Sequence, residues 1–184
     1  MRALRSHGVT LVELLVVVSI LGVVALAAIP DFRSADPLRL DLAAQEIAEA
    51  IRFARSESLR TGMIHGVQIS QDTQRVVVYR ADLTTTPVGM VSILYHPVAK
   101  QPFDFDVAAR PTTAGVSITN AQDPFLYAAG RRKNLLFDAA GVPIWIVNAT
   151  ATTYILQDGL VELAYGSGKR VVQIAPITGR VTVQ

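Results

Sequence analysis

The stretch GVTLVELLVVVSILGVVALAAIP, residues 8–30, decides how this chain is organised. As a helix, the apolar run from Val9 to Ile29 would extend about 32 Å, close to the thickness of the hydrocarbon core of a bilayer. The polar residues inside this run are Thr10, Glu13 and Ser19. The pattern therefore predicts a membrane-spanning helix over residues 9–30, with a separate domain over residues 31–184.

The short leader MRALRSHG, residues 1–8, is basic. Positive charge before an apolar helix directs that end of the chain toward the cytoplasm, which would place the C-terminal domain on the other side of the membrane. Without Arg2 and Arg5, the 17 basic residues fall to 15 and equal the 15 acidic ones, so net charge favours no particular partner. The segment Ala25–Ala27 resembles a signal-peptidase site, so a cleaved secretory signal stays open as an alternative.

Glu13 is the anomaly of the apolar segment. An acidic side chain in a membrane helix costs roughly 2.5–3.5 kcal/mol unless something compensates it. Cleavage after Gly8 would create an ammonium group on Val9, one helical turn away, and the free amides of a helix N-terminus also favour a carboxylate. The ammonium could belong to the same chain or to a neighbouring one. A simpler alternative places Glu13 in the headgroup layer of an ordinary anchor.

A second helix is predicted after the anchor. Asp36 followed by Pro37 is typical of a helix start, and Gly62 is a suitable stop. One apolar stripe recurs at spacings of four and three, which predicts an amphipathic helix with one buried face. Its members are Leu40, Ala44, Ile47, Ile51 and Ala54. Whether residues 30–36 kink one long helix or separate two helices stays open, since a proline in the first turn permits both.

The rest of the chain alternates with period two and is rich in β-branched residues, which predicts an antiparallel β-sheet packed on the second helix. A polar turn at residues 71–73 predicts a hairpin between the first two strands. The predicted strands are residues 64–70, 74–79, 91–95, 116–119, 134–137, 144–147, 171–176 and 180–183. Residues 81–132 carry five of the nine prolines, which predicts a variable, loop-rich region. The fold class is therefore α+β.

Catalytic or metal-binding clusters are not evident in the sequence. His7, His65 and His96 are isolated, and a chain with no cysteine has neither disulfides nor thiolate metal sites. Asp104 and Asp106 lack the loop of regularly spaced ligands that calcium prefers. The stretch GSGKR, residues 166–170, lacks phosphate-loop spacing and is interpreted as a hairpin turn. We expect no enzyme activity, no cofactor and no metal.

The compact basic cluster of the chain is Arg131, Arg132 and Lys133. Binding of a phosphate backbone needs several such charges on one shared surface, so these residues are the candidates for contact with DNA. Neither interleaved aromatic residues nor a second basic run accompanies them. A solvated turn before the strand at Asn134 is therefore the favoured interpretation.

The N-terminal segment resembles the class III signal of type IV pilins and type II secretion pseudopilins. In that family a prepilin peptidase cuts after the glycine matching Gly8 and methylates the new amino terminus, here Val9, where phenylalanine is usual. The glutamate matching Glu13 guides subunit docking. Gly22 and Pro30 match positions between which the helix can unwind in filaments, in keeping with the weak helix propensity of both residue types.

Three later stretches are similar to the GspH/FimT group of minor pseudopilins and minor pilins. They are IRFARSESLRTG (residues 51–62), NLLFDAAGVP (134–143) and GSGKRVVQIAPITGRV (166–181). The resemblance covers residues 8 to about 80 and 134 to 184. It implies a pilin-like fold in which a long N-terminal helix, kinked or broken near 30–36, continues into the amphipathic helix on the sheet.

The resemblance implies a structural subunit of a type II secretion pseudopilus or a type IV pilus. Its expected partners are other pilin or pseudopilin subunits, the prepilin peptidase and the inner-membrane assembly platform. The chain would reside in the bacterial inner membrane with its C-terminal domain in the periplasm, and then enter the filament. Two alternatives stay open: a DNA-binding minor pilin of a DNA-uptake pilus, and a membrane-tethered periplasmic enzyme.

Overall fold

The computed structural model of the chain describes residues 11–27 and 36–184. Helix α1 spans Leu11–Ala27 and helix α2 spans Asp36–Thr61. Helix α1 and the body formed by residues 36–184 belong to separate compact units. The predicted kink or break near residues 30–36 falls almost wholly on residues 30–35, which lie outside the described ranges.

Both predicted ends of the second helix are confirmed. Helix α2 begins at Asp36, with Pro37 in its first turn, where a missing amide hydrogen is tolerated. It ends at Thr61, and the amide of Gly62 donates a 2.9 Å hydrogen bond to the carbonyl oxygen of Ser58. Gly62 has a φ of 70°, a conformation that glycine adopts at low cost and that commonly closes a helix.

The apolar stripe of α2 is buried, as its spacing predicts. Alanines flank the larger members of the stripe, so the helix backbone can approach the strands closely. Helix α2 contacts β1, β2 and β8 of one sheet and β11, β12 and β13 of another. The buried stripe therefore packs against strands of two sheets.

The body contains thirteen strands among residues 36–184. They are β1 (His65–Ser70), β2 (Arg75–Asp82), β3 (Gly89–Ile93), β4 (Asp104–Asp106), β5 (Ser117–Ile118), β6 (Phe125–Tyr127), β7 (Gly130–Arg132), β8 (Asn134–Phe137), β9 (Pro143–Ile146), β10 (Thr153–Ile155), β11 (Asp158–Tyr165), β12 (Gly168–Ile174) and β13 (Val181–Val183).

These strands form two antiparallel sheets in the described part of the chain. The first has the order β10-β9-β8-β1-β2-β3, with β4 also paired to β2. The second has the order β13-β12-β11-β6-β7, with β5 also paired to β11. The predicted α+β class is confirmed, but two sheets replace the single sheet that the sequence suggested.

All eight predicted strands have a counterpart, with ends shifted by a few residues. The prediction missed β4, β6, β7, β10 and β11. The longest of these, β11, buries Gly159, Val161 and Leu163 on one face, but its other face carries Leu160 beside polar residues. A glycine on the buried face and a leucine on the outer face obscure the alternation that identifies a strand. Residues 81–132 hold β3 to β7, each two to five residues long.

Candidate functional site

Helix α1 presents apolar side chains in every direction. Each side chain from residue 11 to residue 22 is exposed. The exposed fraction of the large apolar ones runs from 47% for Val16 to 81% for Leu11. Successive helical residues point about 100° apart, so this run covers all sides of the helix. A helix that is apolar all round is normally covered by lipid or by other protein instead of water.

The predicted processing and assembly residues are distributed over this segment. Glu13 lies in the first turn of α1, and Gly22 is helical and has open space around it. Gly8, Val9 and Pro30 lie outside the described residues, and the predicted spanning segment 9–30 extends into those residues. Within the described ranges, neither helix combines the length and the apolar character required to cross a membrane.

The side chains of the basic cluster do not all point the same way. Arg131 and Arg132 belong to β7, where successive side chains point to opposite faces, so the predicted turn at these positions is wrong. Arg131 lines a cleft of about 170 Å³ together with Asp158 and Glu162. Its Nη1 donates a 3.2 Å hydrogen bond to the carbonyl oxygen of Asp123.

The other two members of the cluster have structural contacts of their own. The guanidinium of Arg132 lies 5.6 Å from the ring centre of Trp145 and donates 2.8 Å hydrogen bonds to two nearby carbonyl oxygens. Lys133 forms an ion pair with Asp72, and the hydrogen bond to that carboxylate raises the pKa of Lys133. The three residues therefore do not share the single basic surface that the DNA hypothesis requires.

The other residues considered for metal binding, catalysis or phosphate binding also make local contacts. Asp104 pairs with Arg75, and Asp106 accepts backbone hydrogen bonds of 2.8 and 3.1 Å in the turn after β4. His96 Nδ1 accepts two backbone hydrogen bonds, and its Nε2 lies 3.6 Å from Glu49. The GSGKR segment forms the predicted hairpin turn between β11 and β12.

The three later motifs meet at one side chain, Arg55. Its Nε donates a 3.0 Å hydrogen bond to the carbonyl oxygen of Gly141, in the turn between β8 and β9. Its Cδ lies 3.1 Å from where a Cβ would stand on Gly179, in the turn before β13. One helix residue therefore contacts a turn of each sheet, and each of the three motifs contributes one partner.

Ser58, one turn further along α2, makes a second set of hydrogen bonds at this junction of the three motifs. Its Oγ donates to the carbonyl oxygen of Phe137 at 3.0 Å and accepts from the backbone amide of His65 at 3.1 Å. Ser58 is 0% exposed and His65 is 2% exposed. Burial lowers the pKa of His65, because the charged imidazolium loses solvation there.

Sequence reasoning identified these motifs but not their convergence. Arg55 and Gly141 are 86 residues apart, and nothing in a single sequence indicates which distant turn a helix residue will contact. The available signal was weak: a glycine at the end of a turn in two of the motifs, and an arginine on the otherwise buried side of the helix.

A sequence model described as the prokaryotic N-terminal methylation motif matches residues 4–29. The fold is similar to that of the minor pseudopilin EpsH from the type 2 secretion system of Vibrio cholerae. The TM-score is 0.52 at 11% identity, and the alignment covers 79% of this chain and 96% of that chain. The chain therefore carries an N-terminal methylation motif and has a fold similar to that of a minor pseudopilin.

The pilin-like chain also aligns with two crystal forms of the type IV minor pilin FimU from Pseudomonas aeruginosa. The first has a TM-score of 0.45 at 16% identity, covering 79% of this chain and 87% of that chain. The second has a TM-score of 0.43 at 15% identity, covering 79% and 92%. No curated protein matches the pilin-like chain significantly.

Proposed function

We propose that this chain is a minor pilin or minor pseudopilin that is processed after Gly8 and assembled through its N-terminal helix. The observation that carries the proposal is the exposed apolar surface of α1, which lies inside the methylation motif at residues 4–29. Full burial of one Leu, Ile or Val side chain is worth about 1.5–3 kcal/mol. Nine such residues are exposed between Leu11 and Leu21, so covering them would supply the main force for both anchoring and assembly.

In the proposed sequence of events, the chain inserts with Arg2 and Arg5 on the cytoplasmic side and its β body in the periplasm. The prepilin peptidase then removes residues 1–8 and methylates Val9. The assembly platform of the inner membrane next transfers the helix from lipid into a filament, where equivalent helices of other subunits replace the lipid. The apolar surface of α1 is therefore covered by lipid before assembly and by protein after it.

Glu13 would set the axial register of the subunit within the filament. Its carboxylate meets the amino terminus of Val9, in the same chain or in a neighbour, in surroundings of low dielectric where such a pair is directional and sensitive to distance. Processing creates that amino terminus, so an uncut precursor would lack the partner. Maturation and assembly are then chemically linked.

The test is intact-mass and N-terminal analysis of the protein isolated from membranes. We expect a mature chain that starts at a methylated Val9, and a Gly8→Leu variant that stays at precursor mass in the membrane. A wild-type chain that retains residues 1–8, or one cut after Ala27, would contradict the proposal. The Ala27 product would instead identify a cleaved secretory signal.

A further inference from the structure

A cleft of about 260 Å³ lies between the C-terminal half of α2 and the segment that leads into β13. Arg52, Arg55 and Ser56 line it from the helix, and Gly179, Arg180 and Val181 line it from the strand side. Leu59 completes the wall and is 49% exposed. The cleft therefore combines three guanidinium groups with an apolar side.

The positive charge of this cleft is not neutralised within the described part of the chain, where none of the three arginines forms an ion pair. Arg52 donates one hydrogen bond, 3.0 Å from its Nη2 to the carbonyl oxygen of Val181. Arg55 donates one, from its Nε to Gly141. These bonds hold two guanidiniums in place and leave most of their five N–H donors available.

Arg180 differs from the other two because its side chain forms no hydrogen bond or ion pair with any described residue. It is exposed at the rim of the cleft, one residue before β13. A planar guanidinium matches a carboxylate with two parallel hydrogen bonds, and such charge-assisted pairs are stronger than neutral ones. Leu59 and Val181 would contact the methylene groups of an acidic side chain that reaches these donors.

The surroundings favour a single carboxylate over an extended polyanion. Next to the cleft along α2 lies a second cavity of about 430 Å³, lined by Gln45, Glu49, Arg52 and Val183. A phosphate backbone following the helix would meet the carboxylate of Glu49 there, and like charges at close range repel. One acidic side chain confined to the first cleft avoids that contact.

We propose that this arginine cleft, formed by Arg52, Arg55 and Arg180, binds an acidic peptide segment of a protein partner through a glutamate or aspartate carboxylate. The site lies on the body and is distinct from α1, so the proposal holds whether or not the chain assembles through that helix. It also differs from the basic cluster at residues 131–133, whose members are separated.

The test measures binding of a fluorescein-labelled peptide that carries one glutamate in an otherwise neutral sequence to the full-length protein in a nonionic detergent, by fluorescence anisotropy. We expect salt-sensitive binding to the wild type and about tenfold weaker binding to Arg180→Gln, because one charge-assisted contact is lost. The exposed Arg180 side chain forms no hydrogen bond or ion pair with any described residue, so the variant should keep the native near-UV circular dichroism spectrum. Arg180→Lys should bind with intermediate affinity, since it keeps the charge and loses the planar fork.

Lys169→Gln is the matched control, because it removes one exposed positive charge outside the cleft. It should bind the peptide as the wild type does. Equal losses in Lys169→Gln and Arg180→Gln, or no binding by the wild type, would overturn the proposal. Preferential binding of a DNA oligonucleotide over the peptide, lost in Arg180→Gln, would also overturn it, since the cleft would then be a phosphate site.

Discussion

The guanidinium of Arg55 donates a 3.0 Å hydrogen bond to the carbonyl oxygen of Gly141, a residue 86 positions further along the chain. The bond joins α2 to the turn between two strands of the first sheet. The aliphatic part of the same side chain packs on Gly179, in a turn of the second sheet. Arg55 therefore connects α2 to both sheets, so it stabilises the fold as well as lining the arginine cleft.

Replacing Arg55 with methionine keeps an unbranched stem and removes the donors. The carbonyl oxygen of Gly141, a buried residue, would then lose its hydrogen-bond partner, and a group left in that state costs about 1–3 kcal/mol. We expect the free energy of unfolding to fall by about that amount in urea titrations of the detergent-solubilised protein. Trp145, the single tryptophan, is 6% exposed and reports unfolding of the body by its fluorescence.

Arg60→Met is the matched control for that measurement. Arg60 lies on the same helix, but its guanidinium is exposed and pairs with Glu57 three residues earlier. Exposed pairs of this kind contribute little to stability. If Arg55→Met and Arg60→Met unfold at the same urea concentration, the bond to Gly141 does not hold the junction together.

Gly179→Ala should destabilise the body more than Gly166→Ala. Both glycines have a positive φ, 62° and 56°, so alanine at either site meets a backbone cost of about 1–2 kcal/mol. A Cβ on Gly179 would also stand 3.0 Å from Cε1 of Phe137, a fully buried ring, whereas a Cβ on Gly166 has open space. The difference between the free energies of unfolding of the two variants measures the cost of adding a Cβ to the closely packed site at Gly179. Equal losses would mean that the ring and Arg55 move aside.

Local patterns could be predicted from the sequence, and long-range contacts could not. The stripe from Leu40 to Ala54 identified the buried face of α2, because a helix repeats its environment every three to four residues. Gly62 ended the helix for an equally local reason. The contact between Arg55 and Gly141 has no local signature, so the junction of the three motifs became evident only in the folded chain.

The basic cluster shows that neighbours in sequence need not share a surface. Arg131, Arg132 and Lys133 are consecutive in sequence, which suggested one charged surface. In the fold, Arg131 and Arg132 lie on a short strand, and the three side chains reach different partners: an acidic cleft, Trp145 and Asp72. Adjacent residues diverge in a strand, whereas the arginine cleft is formed by residues that are more than 120 positions apart, such as Arg52 and Arg180.

His65 should make the stability of the body depend on pH. Burial lowers the pKa of His65 in the folded state below its ordinary value of 6.5, so the unfolded chain takes up a proton first as the pH falls. The contribution of neutral His65 is therefore fully present above about pH 6.5 and is lost as the pH falls from there toward the lower, folded-state pKa. Urea titrations at a series of pH values between about 8 and 5 would measure this slope.

The variant His65→Gln should flatten that slope, because glutamine does not titrate. His96→Gln is the control, since His96 is the other histidine among the described residues and its replacement leaves the His65 contribution in place. An unchanged slope in His65→Gln would assign the pH dependence to other groups. Glu57 is not a candidate, because its hydrogen bond with Arg60 lowers its pKa below the ordinary value of 4.5, outside this range of pH.

Glu13→Ala should leave membrane insertion intact and impair incorporation into filaments. The substitution makes α1 more apolar, which favours insertion, but it removes the carboxylate proposed to meet the amino terminus of Val9. Immunoblots of membrane fractions and of sheared filaments would show the variant at normal abundance in the first and depleted in the second. Ser19→Ala is the matched control, because Ser19 is the other described polar residue of α1 and its hydroxyl donates a 2.8 Å hydrogen bond to Val16 within the helix. Because that bond is internal to the helix, its loss should not affect assembly. Depletion of both variants would point to a general defect of the helix. Normal incorporation of Glu13→Ala would show that the carboxylate has no part in assembly.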